Sequence, residues 1–406
     1  MAVNQPATVP APGNGPRRYL AEVYRRTRGG ELSALPVVAA LLVIWLVFQS
    51  LDGSFLSPRN LSTLSVDITA LGLMAVGAVF VLLVGDIDLS VASVSALSAA
   101  LFAILNANHG VPEWLALLLA VCAGAAIGVF HGLFVARLGV PAFVVTLAGL
   151  LGWNGLMLYI LGPTGSINLN DEGLLARLTS TYFPGATAYG LAALSVAGFF
   201  LFSWLQRRRR SAAGLPVRAA GEIVARTAVL AVITFAAAAV LAAFQGLPLA
   251  LVLFLAVVTG LEFVLRRTTY GRKVFSLGGG QEAARRAGVD IVAVRVSVFA
   301  ISSTMAALGG LFFASRVSSV SQAAGSGELL INVIAAAVIG GTSLYGGRGS
   351  TWAAVLGVLV IQSIASGMAL LGIEIAVQYM ITGAVLLAAI VLDSLNRRSS
   401  LSIGHA

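Results

Sequence analysis

The stretch VDITALGLMAVGAVFVLLVG, residues 66–85, is apolar over almost its whole length. As an α-helix, about 20 such residues cross roughly 30 Å of hydrocarbon. Comparable apolar runs recur at 34–51, 88–106, 113–136, 140–161, 187–205, 227–245, 247–265, 293–314, 329–342, 350–371 and 375–393. Only 10% of the 406 residues are charged, whereas a soluble domain carries roughly a quarter. The sequence therefore predicts an all-α, polytopic transmembrane helical bundle with about 10–12 membrane segments.

The apolar runs divide the chain into three parts. Residues 1–33 are polar and rich in Pro, Gly and Arg, which predicts a disordered cytoplasmic tail. Residues 34–393 are predicted to form a single transmembrane domain, whose first helix is uncleaved because no small-residue cleavage site is evident. Residues 394–406 are predicted to form a second cytoplasmic tail. Inside the domain, the run 329–342 is short for a crossing, and the Gly-rich stretch after it is predicted to form a re-entrant turn.

The basic residues indicate how the chain crosses the membrane. With both termini in the cytoplasm, 22 of the 25 basic residues fall on the cytoplasmic side, in agreement with the positive-inside rule. Only Arg59, Arg177 and Arg316 then face outward, and the loop 162–186 becomes an outward-facing cap. The polar residues of this cap are Asn168, Asn170, Asp171 and Glu172. Binding to nucleic acid is not expected, because the basic residues lie in short stretches between apolar runs and not on one water-exposed face.

The sequence lacks the motifs of an enzyme. Lys273, the only lysine, does not follow the phosphate-binding G-x-x-x-x-G-K-[ST] pattern, so the chain is not expected to hydrolyse ATP by itself. Gly278, Gly280 and Ala283 match G-x-G-x-x-A, but they lie in a basic loop without the strand and acidic residue of a nucleotide fold, so we interpret the match as accidental. No nucleophile elbow or zinc-binding histidine helix is present. No cofactor and no metal are expected on this chain.

Three glycines mark one face of the fourth apolar run. Gly124, Gly128 and Gly132 follow one another at intervals of four residues, which lets another helix approach closely. Helix packing is the favoured interpretation, and a functional hinge is the alternative. His131 is predicted to bond to a neighbouring helix and not to a ligand.

The loop 266–292 contains the most distinctive local sequence, GGGQEAARRAGVD at 278–290. Good helix formers from Glu282 to Ala287 predict a short surface helix. Gly278–Gly280 are predicted to break the chain before it, and Gly288 is predicted to end it. A small, rigid helix of this kind is suited to docking on another protein. The alternative is that its arginines only fix the topology.

Five motifs carry a resemblance to a known family. EAAxxxG at 282–288 resembles the loop by which ABC-importer permeases couple to their ATPase subunits. The other four resemble the ribose/xylose/arabinose branch of monosaccharide permeases: FLSPRNL at 55–61, GDIDLS at 85–90, VPAFVVTL at 140–147 and GGTSLYGGRG at 340–349. The length and the additional apolar sequence around 187–245 make the chain similar to the longer, xylose-type permeases of that branch.

The resemblance implies how the chain works. It implies that the chain assembles in the cell inner membrane, among membrane lipids, with a second permease copy, with ATP-binding subunits and with a periplasmic or lipid-anchored sugar-binding protein. ATP and Mg are then bound by the ATPase subunits, and D-xylose or a related pentose is the implied substrate. The implied coupling residues are Glu282, Ala283, Ala284, Arg285 and Gly288. One departure is Trp153-Asn154-Gly155, where many members have an Arg-Gly pair.

Two carboxylates, Asp86 and Asp88, interrupt the apolar sequence. A charge near hydrocarbon is costly unless it is paired or hydrated, so Asp86 is predicted to be a gate or to pair between helices. Asp88 is predicted to cap the next helix, with a gating role as the alternative, and Ser90 of the same motif is a gate candidate. Arg348 is predicted to pair with one of the aspartates or with the ATPase subunit. Its alternative is an anchor that reaches the lipid head groups.

Uncharged polar residues inside the spans are the candidates for contact with a sugar. They are Asn154, Asn332, Gln362 and Gln378. Each is explained equally well as a hydrogen bond between helices. The rival from another class is an ion-gradient-driven secondary transporter, which would carry ionisable residues at mid-membrane. Because nearly every charge here lies at the edge of a span, we predict an ABC permease that imports a neutral monosaccharide by alternating access.

Overall fold

A computed structural model gives the architecture of residues 34–215, 217, 219–325, 327–384 and 387. The helices are α1 (Ala34–Leu51), α2 (Pro58–Leu83), α3 (Val91–Ala103, continued by a π-helical turn Ile104–Asn108), α4 (Glu113–Arg137), α5 (Ala142–Leu161), α6 (Leu174–Ser180), α7 (Gly185–Ala212), α8 (Ala220–Ala242), α9 (Leu249–Arg267), α10 (Thr269–Gly279), α11 (Gln281–Arg286), α12 (Ile291–Val317), α13 (Gly327–Ile339), α14 (Thr351–Leu370) and α15 (Ile375–Ala384). The strands are β1 (Ser166–Asn168), β2 (Tyr182–Phe183), β3 (Leu247–Pro248) and β4 (Ser319–Ser321).

The structure confirms the polytopic helical bundle. Within the described ranges, nine helices are long and apolar enough to cross a membrane. Three shorter apolar helices, α1, α13 and α15, coincide with the remaining predicted segments. The run predicted to be short is the 13-residue helix α13, whose length is about 20 Å. A helix of that length is too short to span the hydrocarbon alone.

Some predictions concern residues outside this description. The predicted tails 1–33 and 394–406 lie outside the described residues, as does most of the predicted span 375–393 beyond Ala384. The placement of both termini in the cytoplasm therefore stays a prediction from the basic residues.

At the centre of the bundle, α12 packs on both α2 and α3. Every residue of α2 from Ile68 to Leu83 is buried, as expected for a helix that is apolar on all faces. In the turn that follows α2, residues 84–90, Val84, Asp88 and Ser90 are buried, whereas Gly85 is exposed.

The glycine face of α4 packs against α12, which confirms the packing interpretation. A Cβ atom on Gly128 would overlap the carbonyl oxygen of Phe299 and would lie 2.7 Å from Ala300 Cα. One on Gly132 would lie 2.6 Å from Val296 Cα. The absence of side chains on this face therefore lets the two backbones meet.

We expect Gly128→Ala to destabilise the protein by about 1–3 kcal/mol, because the new methyl group meets backbone atoms that cannot rotate away. Gly152→Ala in α5 is the matched control, since no atom lies within 4 Å of its added Cβ. Thermal unfolding of the purified variants in detergent measures the difference. Equal unfolding temperatures for the two variants would contradict the close packing of α4 on α12.

The two ends of the bundle are built differently. At one end β1 pairs with β4 and β2 pairs with β3, both antiparallel, so the predicted cap 162–186 is joined to two later segments of the chain. We call this the strand end. The other end carries α10, α11 and the turns 84–90 and 340–350, and we call it the α11 end.

Helices α7 and α8 form a hairpin at the edge of the bundle. They pack chiefly on each other. In the 18-residue apolar stretch of each helix, only 11% of the residues are buried. Their exposed side chains are mostly apolar, which is the surface that lipid covers. This hairpin is the additional apolar sequence around 187–245.

Candidate functional site

Helix α11 (Gln281–Arg286) lies on the surface of the protein and matches the short helix predicted from Glu282 to Ala287. Its exposed side chains are Gln281, Glu282, Ala283, Arg285 and Arg286, and Ala284 is fully buried beneath them. Gly288, with φ of +76°, follows the helix in a conformation that favours glycine. The ion pair between Glu282 and Arg286, at 3.4 Å, is exposed to solvent and contributes about 0–1 kcal/mol. The helix therefore presents a small, charged surface on a buried alanine.

The break predicted at Gly278–Gly280 is wrong at two of its three positions. Helix α10 continues through Gly278 and Gly279, and the chain leaves helical geometry only at Gly280. The helix begins at a cap, in which Thr268 Oγ1 accepts a 3.3 Å hydrogen bond from the Gly271 N–H. Flexibility of the chain therefore does not explain the glycine at 278.

Gly278 allows three backbones to meet. A Cβ at this position would overlap the carbonyl oxygen of Leu83 and would lie 2.5 Å from the Gly347 nitrogen. The same Leu83 carbonyl accepts a 2.9 Å hydrogen bond from the Gly347 N–H. Gly346, with φ of +86°, lies against both Gly278 and Gly85. We call this contact between the end of α2, α10 and the 340–350 turn the glycine junction.

Arg295, in the first turns of α12, connects α11 to the turn after α2. Its Nε lies 3.1 Å from Asp86 Oδ2, and its Nη2 donates a 3.4 Å hydrogen bond to Gln281 Oε1. The Asp86 and Arg295 side chains are 12% and 18% exposed. The two side chains form an ion pair, but Arg295 Nε and Asp86 Oδ2 do not have the geometry of a hydrogen bond. Burial raises the pKa of Asp86, and the positive charge of Arg295 opposes that shift.

Asp88 is the centre of a buried polar cluster. Its Oδ1 accepts hydrogen bonds from the Ser90 N–H at 2.9 Å and from the Ser90 hydroxyl at 2.6 Å. Its Oδ2 accepts a 3.0 Å hydrogen bond from the Ser302 hydroxyl on α12. Three donors compensate a buried carboxylate for the water it has lost. Asp88 thus binds the amide of Ser90, which precedes α3, and not an amide in the first turn of the helix, so the predicted helix cap is not formed. Its bond to Ser302 holds α12 in place.

His131 extends this cluster to α4 and α5. Trp153 Nε1, which can only donate, bonds to His131 Nε2 at 2.9 Å, so that nitrogen is the acceptor and the proton of the neutral ring is on Nδ1. Nδ1 lies 3.4 Å from the Ser90 hydroxyl, which in turn donates to Asp88. The bond to a neighbouring helix predicted for His131 is confirmed. A chain of hydrogen bonds therefore runs from Trp153 on α5 to the turn before α3.

The remaining candidates are not brought to this cluster. The side chain of Arg348 is exposed and makes no ion pair with any described residue, so its predicted pairing with an aspartate is wrong, because Arg295 takes that place. Gln362 donates to the Asp67 carbonyl at 3.3 Å, and Gln378 to the Ile373 carbonyl at 2.8 Å. Asn154 adjoins Gly325, beyond β4 at the strand end.

Sequence reasoning missed two members of the site. Arg295 is one of the 22 basic residues that indicate the orientation, but it also falls inside the predicted span 293–314, where a charge requires a partner. Ser302 gave no signal, because a serine in a span bonds most often to its own helix. Across the described part of the chain, no cluster of three or more His, Cys, Asp or Glu side chains is placed to hold a metal ion.

The chain matches a known family over most of its length. Residues 60–390 match the family described as branched-chain amino acid transport system / permease component. The chain belongs to this family. It is therefore a multi-pass membrane transport permease and not an enzyme.

Several relatives of the permease transport pentoses by name. It is 36% identical over 371 residues to the xylose transport system permease protein of Escherichia coli K12, which covers 91% of this chain and 94% of that protein. It is 30% identical to the ribose import permease protein of Bacillus subtilis, over 90% of this chain and 94% of that protein. It is 28% identical to the L-arabinose transport system permease protein of E. coli K12, over 92% and 93%. No solved structure matches. The resemblance to the ribose/xylose/arabinose branch is thus confirmed.

Proposed function

We propose that this permease is the membrane-spanning subunit of an ATP-driven importer in the cell inner membrane, with D-xylose or a related pentose as its substrate. The observation that carries the proposal is the 36% identity to a xylose permease along almost the whole of both chains. Two copies of the permease associate with ATP-binding subunits, which hold ATP and Mg, and with a periplasmic or lipid-anchored sugar-binding protein. Transport proceeds by alternating access.

In this proposal α11 docks on the ATP-binding subunit and passes on its movement. Glu282, Ala283 and Arg285 form the docking surface, while buried Ala284 and the turn at Gly288 fix the helix to the permease. Movement of α11 reaches the interior by two routes. One is Arg295, which contacts both α11 and the turn after α2. The other is the glycine junction, where α10 rests on the end of α2.

The turn 84–90 is the element that this movement acts on. Asp86 forms an ion pair with Arg295, so a displacement of Arg295 acts directly on the turn. Asp88 bonds to Ser302 on α12, and Ser90 contacts His131 on α4. Small displacements of packed elements switch between discrete arrangements, because tightly packed interiors do not deform continuously. We therefore assign the turn 84–90 to the gate.

Asn154 and Asn332 are the first candidates for contact with the sugar. The side-chain oxygen of each is buried and lacks a hydrogen-bond partner among the described residues. Such atoms are uncommon, because an unmade hydrogen bond to a buried acceptor costs about 1–3 kcal/mol. A sugar hydroxyl would satisfy them. Gln362 and Arg348 are secondary candidates, since Gln362 already donates to the Asp67 carbonyl and the Arg348 side chain is exposed.

The proposal is tested by purifying the permease together with the ATP-binding subunit encoded beside it. We expect the wild-type complex to hydrolyse ATP faster with the binding protein and D-xylose. Glu282→Arg should reduce recovery of the complex at least about tenfold, since about 1.4 kcal/mol at a docking contact gives that factor. Glu172→Arg, an exposed carboxylate of the cap at the strand end, is the control and should leave recovery unchanged.

The same assay separates the alternatives. Stimulation by ribose or arabinose in place of xylose would reassign the sugar but keep the importer. Stimulation by leucine, with no response to any pentose, would favour the substrate named in the family description. If the permease binds no ATP-binding subunit and an ion gradient alone drives uptake in vesicles, the secondary transporter replaces the proposal.

A further inference from the structure

Five arginines form one cluster at the α11 end of the hairpin. Arg207–Arg210 are consecutive in the last turns of α7, and Arg267 ends the neighbouring helix α9. Arg208, Arg209 and Arg210 are exposed, and Arg207 is half-buried. Since four successive residues point around most of a helix, the charges face several directions at once. We call these five residues the arginine cluster.

Two arginines of the cluster lie against aromatic rings. The Arg267 guanidinium lies 4.7 Å from the centre of the Phe202 ring, and that of Arg207 lies 5.6 Å from Trp204. Both rings belong to α7, one turn before the arginines. Aromatic side chains followed by arginines are typical of the level at which a helix leaves the hydrocarbon for the head groups.

None of these five arginines has a carboxylate within ion-pair distance among the described residues, unlike others near them. Arg266 pairs with Glu262 at 3.0 Å, and Arg226 pairs with Glu222 at 2.7 Å. The positive charge of the cluster is therefore not neutralised by the described residues of the permease. An external anion that reaches the cluster would therefore meet guanidinium groups that are not already paired with a carboxylate of the described residues.

The surface beside the cluster determines which anion fits. Leu201 and Leu205, just before the arginines on α7, are 57% and 43% exposed, and only 11% of the apolar stretch of this helix is buried. A ligand that contacts both the arginine cluster and the exposed leucines of α7 needs a negatively charged group attached to an apolar chain. An anionic phospholipid has this arrangement, whereas soluble phosphates and nucleic acids lack the apolar part. Arginine also binds phosphate through two parallel hydrogen bonds.

The geometry points to the arginine cluster as a binding site for anionic phospholipid head groups, with the acyl chains along α7. The site is independent of the substrate of the permease. Such clusters directly outside a membrane helix attract anionic lipids, and each arginine contributes to the attraction. The lipid would anchor the hairpin, which has few contacts with the rest of the bundle.

Trp204 allows a direct test in bilayers. The permease is reconstituted in phosphatidylcholine with increasing fractions of brominated phosphatidylglycerol or brominated phosphatidylcholine, and the quenching of its fluorescence is measured. The contribution of Trp204 is obtained by subtracting the fluorescence of the Trp204→Phe variant from that of the wild type. We expect phosphatidylglycerol to be preferred by roughly tenfold at low salt, with a smaller preference in 0.5 M NaCl, because exposed charges are screened.

The arginines are tested by paired variants. R207Q/R208Q/R209Q/R210Q should reduce the preference to about twofold or less, and R207K/R208K/R209K/R210K should keep most of it, because the attraction depends mainly on charge. Equal quenching by both lipids in the wild type, or a preference that survives the glutamine variant, would overturn the assignment. Full displacement of the lipid by millimolar glycerol 3-phosphate would identify a site for soluble phosphates instead. If the glutamine variant does not fold, native mass spectrometry of the wild type decides: retention of phosphatidylcholine equal to that of phosphatidylglycerol refutes the site.

Discussion

Arg295→Gln is expected to make the permease about 3–5 kcal/mol less stable and to abolish the stimulation of ATP hydrolysis by substrate. The substitution leaves the Asp86 carboxylate, only 12% exposed, without its positive partner, and an unpaired buried charge has a cost of this size. It also removes the contact between Arg295 and Gln281 on α11. The measurements are thermal unfolding in detergent and substrate-stimulated ATPase of the assembled complex.

Two further variants separate stability from coupling. Arg286→Gln breaks the exposed pair with Glu282 and should change stability by no more than about 1 kcal/mol. The double variant Asp86→Asn/Arg295→Gln removes both buried charges, so it should regain most of the stability while coupling stays low. If Arg295→Gln is as stable and as well coupled as the wild type, the pair does not connect α11 to the turn 84–90.

The helical bundle could be predicted from the sequence because lipid imposes a simple rule. A segment must be apolar and about 20 residues long to cross the membrane, and both properties are visible in a single sequence. The short helix α13 was recognised for the same reason. The pairing of β1 with β4 and of β2 with β3 was not predicted, because strands of two or three residues have no periodicity to detect.

The candidate site was predictable only where local sequence determines it. Helix α11 follows from good helix formers between Gly280 and Gly288. The bond between Asp88 and Ser302 joins residues 214 positions apart, and a single sequence contains no signal for such a pair. Gly278 illustrates a different error: a run of glycines predicts a break, whereas Gly278 allows close backbone contact inside a helix.

That distinction predicts opposite effects for two adjacent glycines. Gly278→Ala places a methyl group into the Leu83 carbonyl and close to the Gly347 nitrogen, so α10 must separate from the end of α2. Because both obstacles are backbone atoms, we expect a loss of about 3 kcal/mol or more, at the upper end of overpacking effects. Coupling to the ATP-binding subunit should be lost as well, since the glycine junction is opened.

Gly279→Ala is the matched control in the same helix. No atom lies within 4 Å of the added Cβ, so the substitution should only favour the helix, by up to about 1 kcal/mol. The unfolding temperature in detergent should therefore fall for Gly278→Ala and stay constant or rise for Gly279→Ala. Recovery of the complex should follow the same order. If both variants resemble the wild type, α10 does not rest on α2 through Gly278, and Arg295 alone connects the docking helix to the turn 84–90.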